Sequence, residues 1–136
     1  MFNEAGDPRQ PISMNAMRQF FLKALDLASH KGMALNQIVV DPGLGFRVQG
    51  DSLWRALTHL SDLKGLGSGI LVGHSRKRFL GHATGVAEAR ERDLATAVIS
   101  SLAALGGADI LRVHNPGPTR QALALAERWR AANGAD

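Results

Sequence analysis

The stretch Ile38 to Phe46, IVVDPGLGF, sets three β-branched residues before a carboxylate and then breaks the chain with Pro42, Gly43 and Gly45. β-Branched side chains favour an extended backbone, whereas closely spaced proline and glycines favour neither strand nor helix. The segment therefore reads as a short strand over Gln37 to Asp41 that ends on a charge. An Asp before Pro-Gly can be a turn former, its side chain accepting from the backbone two residues on. It can equally be a carboxylate held out from a strand end toward a ligand. What lies at the ends of the other strands has to decide.

Two further runs have strand character: GILVG, Gly69 to Gly73, and ADILRV, Ala108 to Val113. Around them lie helical periodicities. Met17, Phe20, Phe21, Ala24, Leu25, Leu27 and Ala28 recur at helical spacing between Asn15 and Lys31, with Gly32 as a stop. Asp51 or Ser52 can cap a helix whose face is Leu53, Leu57, Leu60 and Leu63, ended by Gly65 and Gly67. A loop after the second strand leads to a helix from about Ala89 to Leu105. Asn115 followed by Pro116 can cap a last helix through about Arg130, with Leu123, Ala126 and Trp129 facing inward. Met1 to Ser13, broken by Gly6, Pro8 and Pro11, reads as irregular.

The order α, β, α, β, α, β, α, with strand starts roughly thirty to forty residues apart, is that of linked βαβ units. Strands that are continuous apolar runs are expected to be buried on both faces, in a parallel sheet covered by helices. An open doubly wound sheet and part of a (β/α)8 barrel both satisfy this. A complete barrel needs eight strands and about 250 residues. With 136 residues and three strands, the chain would hold less than half of one and is expected to be truncated at the front.

Composition narrows the function classes. The 136 residues are 45% apolar, which suits one soluble globular unit. With no cysteine, disulfides, thiolate metal sites and a Cys nucleophile are excluded. Together with the lack of a membrane-length apolar run or a leader-like N-terminus, this leads to the expectation of a cytoplasmic protein with no membrane partner. Lys plus Arg number 16 against 12 acids, for a formal charge of +4, which suits anionic ligands. Aromatic residues make up only 5% and the basic residues form no long run, so the stacking pattern of a nucleic-acid binder is missing and no nucleic acid is expected.

Parallel strands all point one way, and in such folds the loops after their C-terminal ends build the site. The three strands end in Asp41-Pro-Gly-Leu-Gly-Phe46, in GHSRKRF from Gly73 to Phe79, and in RVHNP from Arg112 to Pro116. Each has a bland reading: a turn, a solvated basic loop, a strand end. Arg112 fits its bland reading least, since an arginine ending a buried strand needs an anionic partner. Placed on one rim, the set can do more. Asp41 offers acceptors to an amino-pyrimidine edge, and Lys77 is a movable point charge. Arg112 and His114 can hold a polyphosphate and neutralise its charge as it leaves, and Ser75 adds a hydroxyl. No Ser-His-acid set presents an activated nucleophile. His30, His59, His74 and His82 lack metal-ligand spacing and read as surface or loop residues.

The three motifs DPGLGF, LVGHSRKRFLG and GADILRVHNP, in this order and spacing, resemble the dihydropteroate synthase family. The opening MFNEAGDPRQPISM is faintly similar to a Met-His-x-x-Gly-x-Pro segment of that family, with Phe2 and Asn3 departing from it. The resemblance implies an α/β fold, the C-terminal portion of a TIM (β/α)8 barrel with parallel strands alternating with helices, residues 1–136 forming one partial pterin-binding domain. It implies a transferase of folate biosynthesis that joins p-aminobenzoate to 6-hydroxymethyl-7,8-dihydropterin diphosphate, a sulfonamide target that is homodimeric at full length.

By matched positions, Asp41 would bind the pterin's amino-pyrimidine edge and Lys77 would lie between pterin and p-aminobenzoate. Phe46 and Arg78 would border the p-aminobenzoate pocket. Arg112 and His114 would take the diphosphate, leaving Lys77, Arg112 and His114 as the catalytic set and Ser75 as a further substrate contact. Mg2+ is the implied cofactor, its Asn ligand lying upstream, with no metal ligand in this chain. The isolated chain is expected to be inactive. A non-catalytic pterin- or phosphate-binding paralogue and a pterin-binding methyltransferase domain are the alternatives; SRKRFLG followed by RVH favours the synthase.

Overall fold

The computed structural model describes residues 13–46 and 48–134. Among the described residues, five helices accompany three short strands: α1 (Met14–His30), β1 (Val39–Val40), α2 (Gly50–Thr58), β2 (Gly69–Val72), α3 (Arg78–Thr84), α4 (Asp93–Leu105), β3 (Ile110–Leu111) and α5 (Pro116–Asn133). Short 3-10 turns at Leu35–Gln37, Leu60–Leu63 and Ala89–Arg92 fill three of the connections. The opening segment MFNEAGDPRQPI lies outside the described residues.

The strands pair in parallel in the order β1-β2-β3, with Val40 opposite Ile70 and Val72 opposite Leu111. Neighbours in sequence are neighbours in space, as in a barrel wall. Burial separates the two architectures left open by the sequence. Val40, Ile70 and Val72 are fully buried against the helices, while Val39 and Ile110 on the strands stay about 40% exposed. A doubly wound sheet would cover both faces. Here one face is covered and the other is open, as an inner barrel face is when the opposing strands are missing. The expected burial on both faces is thus corrected: within these residues nothing packs on the inner side.

The core joins the helix side of the sheet to Met17, Phe21 and Leu25 of α1, Leu53 and Leu57 of α2, and Leu60, Leu63 and Leu66 beyond it. The leucine face expected from Leu53 to Leu63 is therefore buried, although the α-helix stops at Thr58 and a 3-10 turn carries the last two leucines. That helix begins at Gly50, so neither Asp51 nor Ser52 caps it: the N-cap is Gln49, whose side chain makes no capping bond. Asn115 does cap α5, accepting from the Gly117 amide at 3.3 Å. Trp129 points outward, 65% exposed, because α5 inserts Ala126 rather than its large residues toward α4. The segment after β2 was expected to be a loop throughout; its second part is α3, seven residues too short to show a helical stripe. Among the described residues, no helix is long and apolar enough to cross a membrane.

Candidate functional site

The β1 loop answers the question posed by its Asp-Pro-Gly. Asp41 Oδ1 accepts the Gly43 amide at 2.8 Å, which makes the residue a turn former. No described residue donates to its other oxygen, Oδ2, so half the carboxylate remains available. The turn continues through left-handed Gly43 and Gly45, and the Gly45 amide donates to the Val48 carbonyl at 2.9 Å. Buried Leu44 anchors the loop, while Phe46 at its tip stays 67% exposed.

Gly45 is required for a second reason. A Cβ there would lie 2.8 Å from Cδ of Lys77, so the loop backbone rests on the lysine stem. The ammonium of Lys77 donates to the Leu44 carbonyl and lies 4.1 Å from the centroid of the Phe46 ring. Burial pulls Lys77 below the usual lysine value; the nearby Asp41 opposes that shift and Arg112 adds to it. A cation so held has already lost part of its hydration.

The β2 loop begins at Gly73, across which Arg112 lies: a Cβ there would sit 2.7 Å from Nη2 and 3.1 Å from Nε. Ser75, buried, accepts the His114 amide at 3.1 Å and lies 2.9 Å from His114 Nδ1. It thereby fixes the imidazole and turns its far edge outward. Arg112 itself is exposed, and no described residue pairs with it. The anionic partner expected for a strand-end arginine is not supplied by the described protein. A concavity of about 330 Å³ opens between these groups, lined by Phe46, Gly73, Ser75, Lys77, Arg112, Val113 and His114.

Five of the residues singled out in the sequence, Phe46, Ser75, Lys77, Arg112 and His114, thus meet in one concavity. Asp41 stands beside it, close enough to Lys77 for their charges to interact. Arg78 is not brought in: it is exposed at the first residue of α3. His74, read as a surface or loop residue, lies in the loop but not at the surface. It is fully buried, its Nε2 3.0 Å from both the Thr96 carbonyl and Ser100 Oγ of α4, because the loop dips beneath that helix. Burial lowers its pKa below the usual 6.5, favouring the neutral imidazole. Arg76 is likewise no solvated charge, since Asp93 holds it through two bonds of 2.7 and 2.9 Å. Asp93 was missed in the sequence; its signal was the polar spacing Asp93, Thr96, Ser100 on a helix otherwise apolar but for Ser101.

A parallel βα wall whose strand ends carry one carboxylate, two cations and an oriented imidazole around an open concavity has the architecture of a barrel domain with its polar groups gathered on one rim. Known proteins narrow the class. Residues 4–114 match the family described as pterin binding enzyme, and the chain belongs to that family. The dihydropteroate synthase of a Synechocystis species is 41% identical over 115 residues, covering 84% of this chain and 40% of that protein. The Yersinia pestis dihydropteroate synthase, solved as a sulfonamide drug complex, superposes with a TM-score of 0.85 at 30% identity, covering 94% of this chain and 46% of that one. The Xanthomonas albilineans dihydropteroate synthase in complex with 7,8-dihydropteroate gives 0.82 at 29% identity, covering 100% and 50%. The chain therefore spans about half or less of the length of these relatives. The fold is accordingly part of a TIM barrel, as the sequence led us to expect.

Proposed function

We propose that this chain is part of a dihydropteroate synthase, in which its three strand-end loops grip a dihydropterin diphosphate and p-aminobenzoate. The observation that carries the proposal is the concavity itself: Lys77, Arg112 and Ser75-oriented His114 share one mouth, with Asp41 at its side. In the reaction, the amine lone pair of p-aminobenzoate forms a bond to the pterin's exocyclic methylene carbon. The carbon–oxygen bond to diphosphate breaks, its electron pair leaves on the diphosphate, and the new secondary amine loses a proton to solvent. Charge grows on the leaving oxygens, and there an unpaired guanidinium and an imidazole edge are most useful.

Asp41 Oδ2, and the second lone pair of Oδ1, accept from the pterin's amino-pyrimidine edge. Lys77, held over Phe46, sits where the two substrates meet, and its partial desolvation strengthens its field there. The exposed Phe46 ring borders the p-aminobenzoate side. Magnesium fits the residues present poorly: among the described residues no three His, Asp or Glu side chains converge. None of the steps above uses magnesium.

The protein works in the cytoplasm as a homodimer, and the exposed Leu94, Val98 and Leu102 of α4 favour self-association. The test is diphosphate release and dihydropteroate formation by the purified full-length protein given both substrates. Release that depends on p-aminobenzoate supports a synthase. Pterin binding without turnover would indicate a non-catalytic paralogue, and methyl transfer would indicate the methyltransferase alternative.

A further inference from the structure

The site loops do not hold themselves in place. The β2 loop runs through Arg76 with φ at +58, a left-handed conformation that an arginine adopts at some expense. Arg92, at the end of the preceding 3-10 turn, and two groups from the start of α4 fix it there. Thr96 Oγ1 accepts the Arg76 amide at 3.1 Å, Arg92 Nη1 donates to the Arg76 carbonyl at 2.9 Å, and Asp93 takes the guanidinium in a two-bond fork. The same Asp93 Oδ2 that meets Arg76 also accepts from Asn115 Nδ2 at 2.8 Å. Asn115 follows His114 directly and caps α5. One carboxylate therefore joins the loop bearing Ser75 and Lys77 to the loop bearing Arg112 and His114. Ser75–His114 is the only other described side-chain bond between these two loops, and it lies on the ligand side.

We propose that Asp93 is a positioning residue: it clasps the β2 and β3 loops from behind, setting the separation of Lys77 from His114 without touching the ligand. The proposal rests on the function argued above, because it concerns the geometry of that same site. A partly buried, two-bond carboxylate–guanidinium pair has the directionality for the task, which a lone surface contact lacks. Its third bond, to Asn115, carries the constraint across to the other strand end. Asp93 also sits in the first turn of α4, where any acid interacts favourably with the helix, so a plain loss of charge must be controlled for.

The experiment compares Asp93→Asn with Glu91→Gln in the full-length protein. Glu91 is an exposed acid in the preceding turn, so its variant removes the same charge next to the same helix. Hydrogen exchange is followed over residues 74–78 and 112–117, together with the affinity for inorganic pyrophosphate. Loss of a charge-assisted clasp should speed exchange in both segments and weaken pyrophosphate binding, each by about tenfold, while Glu91→Gln changes neither. Asp93→Glu, which keeps the carboxylate, should recover part of both effects. Faster exchange in 74–78 alone would overturn the proposal, since Asp93 would then serve only the Arg76 turn. Equal effects from Glu91→Gln would also overturn it. The exchange measurement needs no ligand, so a wild-type protein lacking synthase activity would count against the proposed function, while the exchange pattern would still decide for or against the clasp.

Discussion

Gly73→Ala should weaken the anion grip while leaving the fold standing. Gly73 is not among the glycines with positive φ, so alanine suits its backbone. The added Cβ, however, would lie 2.7, 3.1 and 3.4 Å from Nη2, Nε and Cζ of Arg112. Every one of these atoms belongs to the far end of a flexible side chain, so the clash is relieved by the guanidinium swinging away. The stability change is small, because alanine at a compatible position stabilises by roughly 0.4–1 kcal/mol through the unfolded chain. What is lost is one charge-assisted contact to phosphate, about 1.5–3 kcal/mol. That corresponds to about ten- to a hundredfold weaker binding. Calorimetric titration of the full-length protein with pyrophosphate reads the loss, and a thermal melt reads the fold. Arg112→Ala should give the same loss, and the double variant should be no worse than either alone, because both remove one interaction. Unchanged affinity in Gly73→Ala, or losses that add, would refute the placement of Arg112 over Gly73 as the anion contact.

Lys77→Ala should lower turnover strongly with little change in melting temperature, since Lys77 contributes a loop contact rather than core packing; near-normal turnover would remove it from the catalytic set. Buried His74 makes stability depend on pH. Its folded pKa lies below 6.5, so between the two values the unfolded chain binds a proton that the native one refuses. Stability is therefore full above about pH 6.5 and falls below it, by at most about 1.4 kcal/mol per pH unit. His74→Gln should flatten that slope in denaturant titrations, and an unaltered slope would show that His74 does not cause it. Finally, the 136-residue chain alone leaves Val39 and Ile110 open to water on its inner face. Each such side chain forgoes roughly 1.5–3 kcal/mol of burial, so sedimentation should show self-association or a loose, weakly cooperative species. A monodisperse monomer with a sharp melt would contradict this.

Much of this architecture was legible because it rests on periodicity. Buried β-branched runs at βαβ spacing, and polar motifs at each strand end, are local patterns that need no knowledge of partners. Parallel direction then forces Asp41, Lys77 and Arg112 toward one rim. The errors share a different cause: each depends on what packs against what. His74 looks like its neighbours Ser75 and Arg76 in the sequence, and only the polar face of α4 makes it a core residue. Trp129 has helical spacing with Ala126, yet the close α4–α5 contact selects the smaller side chain. The β-strand ladders are shorter than the apolar runs because pairing ends where the chain curves into its loops. Asp41 was both things that its sequence allowed, a turn former through one oxygen and an open acceptor through the other.

Whether the three strand-end loops grip a dihydropterin at Asp41 and its diphosphate at Arg112 and His114 is decided by a crystal structure of the full-length protein with a dihydropterin and pyrophosphate. Pyrophosphate is expected within hydrogen-bond distance of the Arg112 guanidinium and the outer edge of His114, and the pterin's amino-pyrimidine edge on Asp41 Oδ2. Pyrophosphate bound away from Arg112, or a pterin whose amino edge leaves Asp41 unpaired, would contradict it.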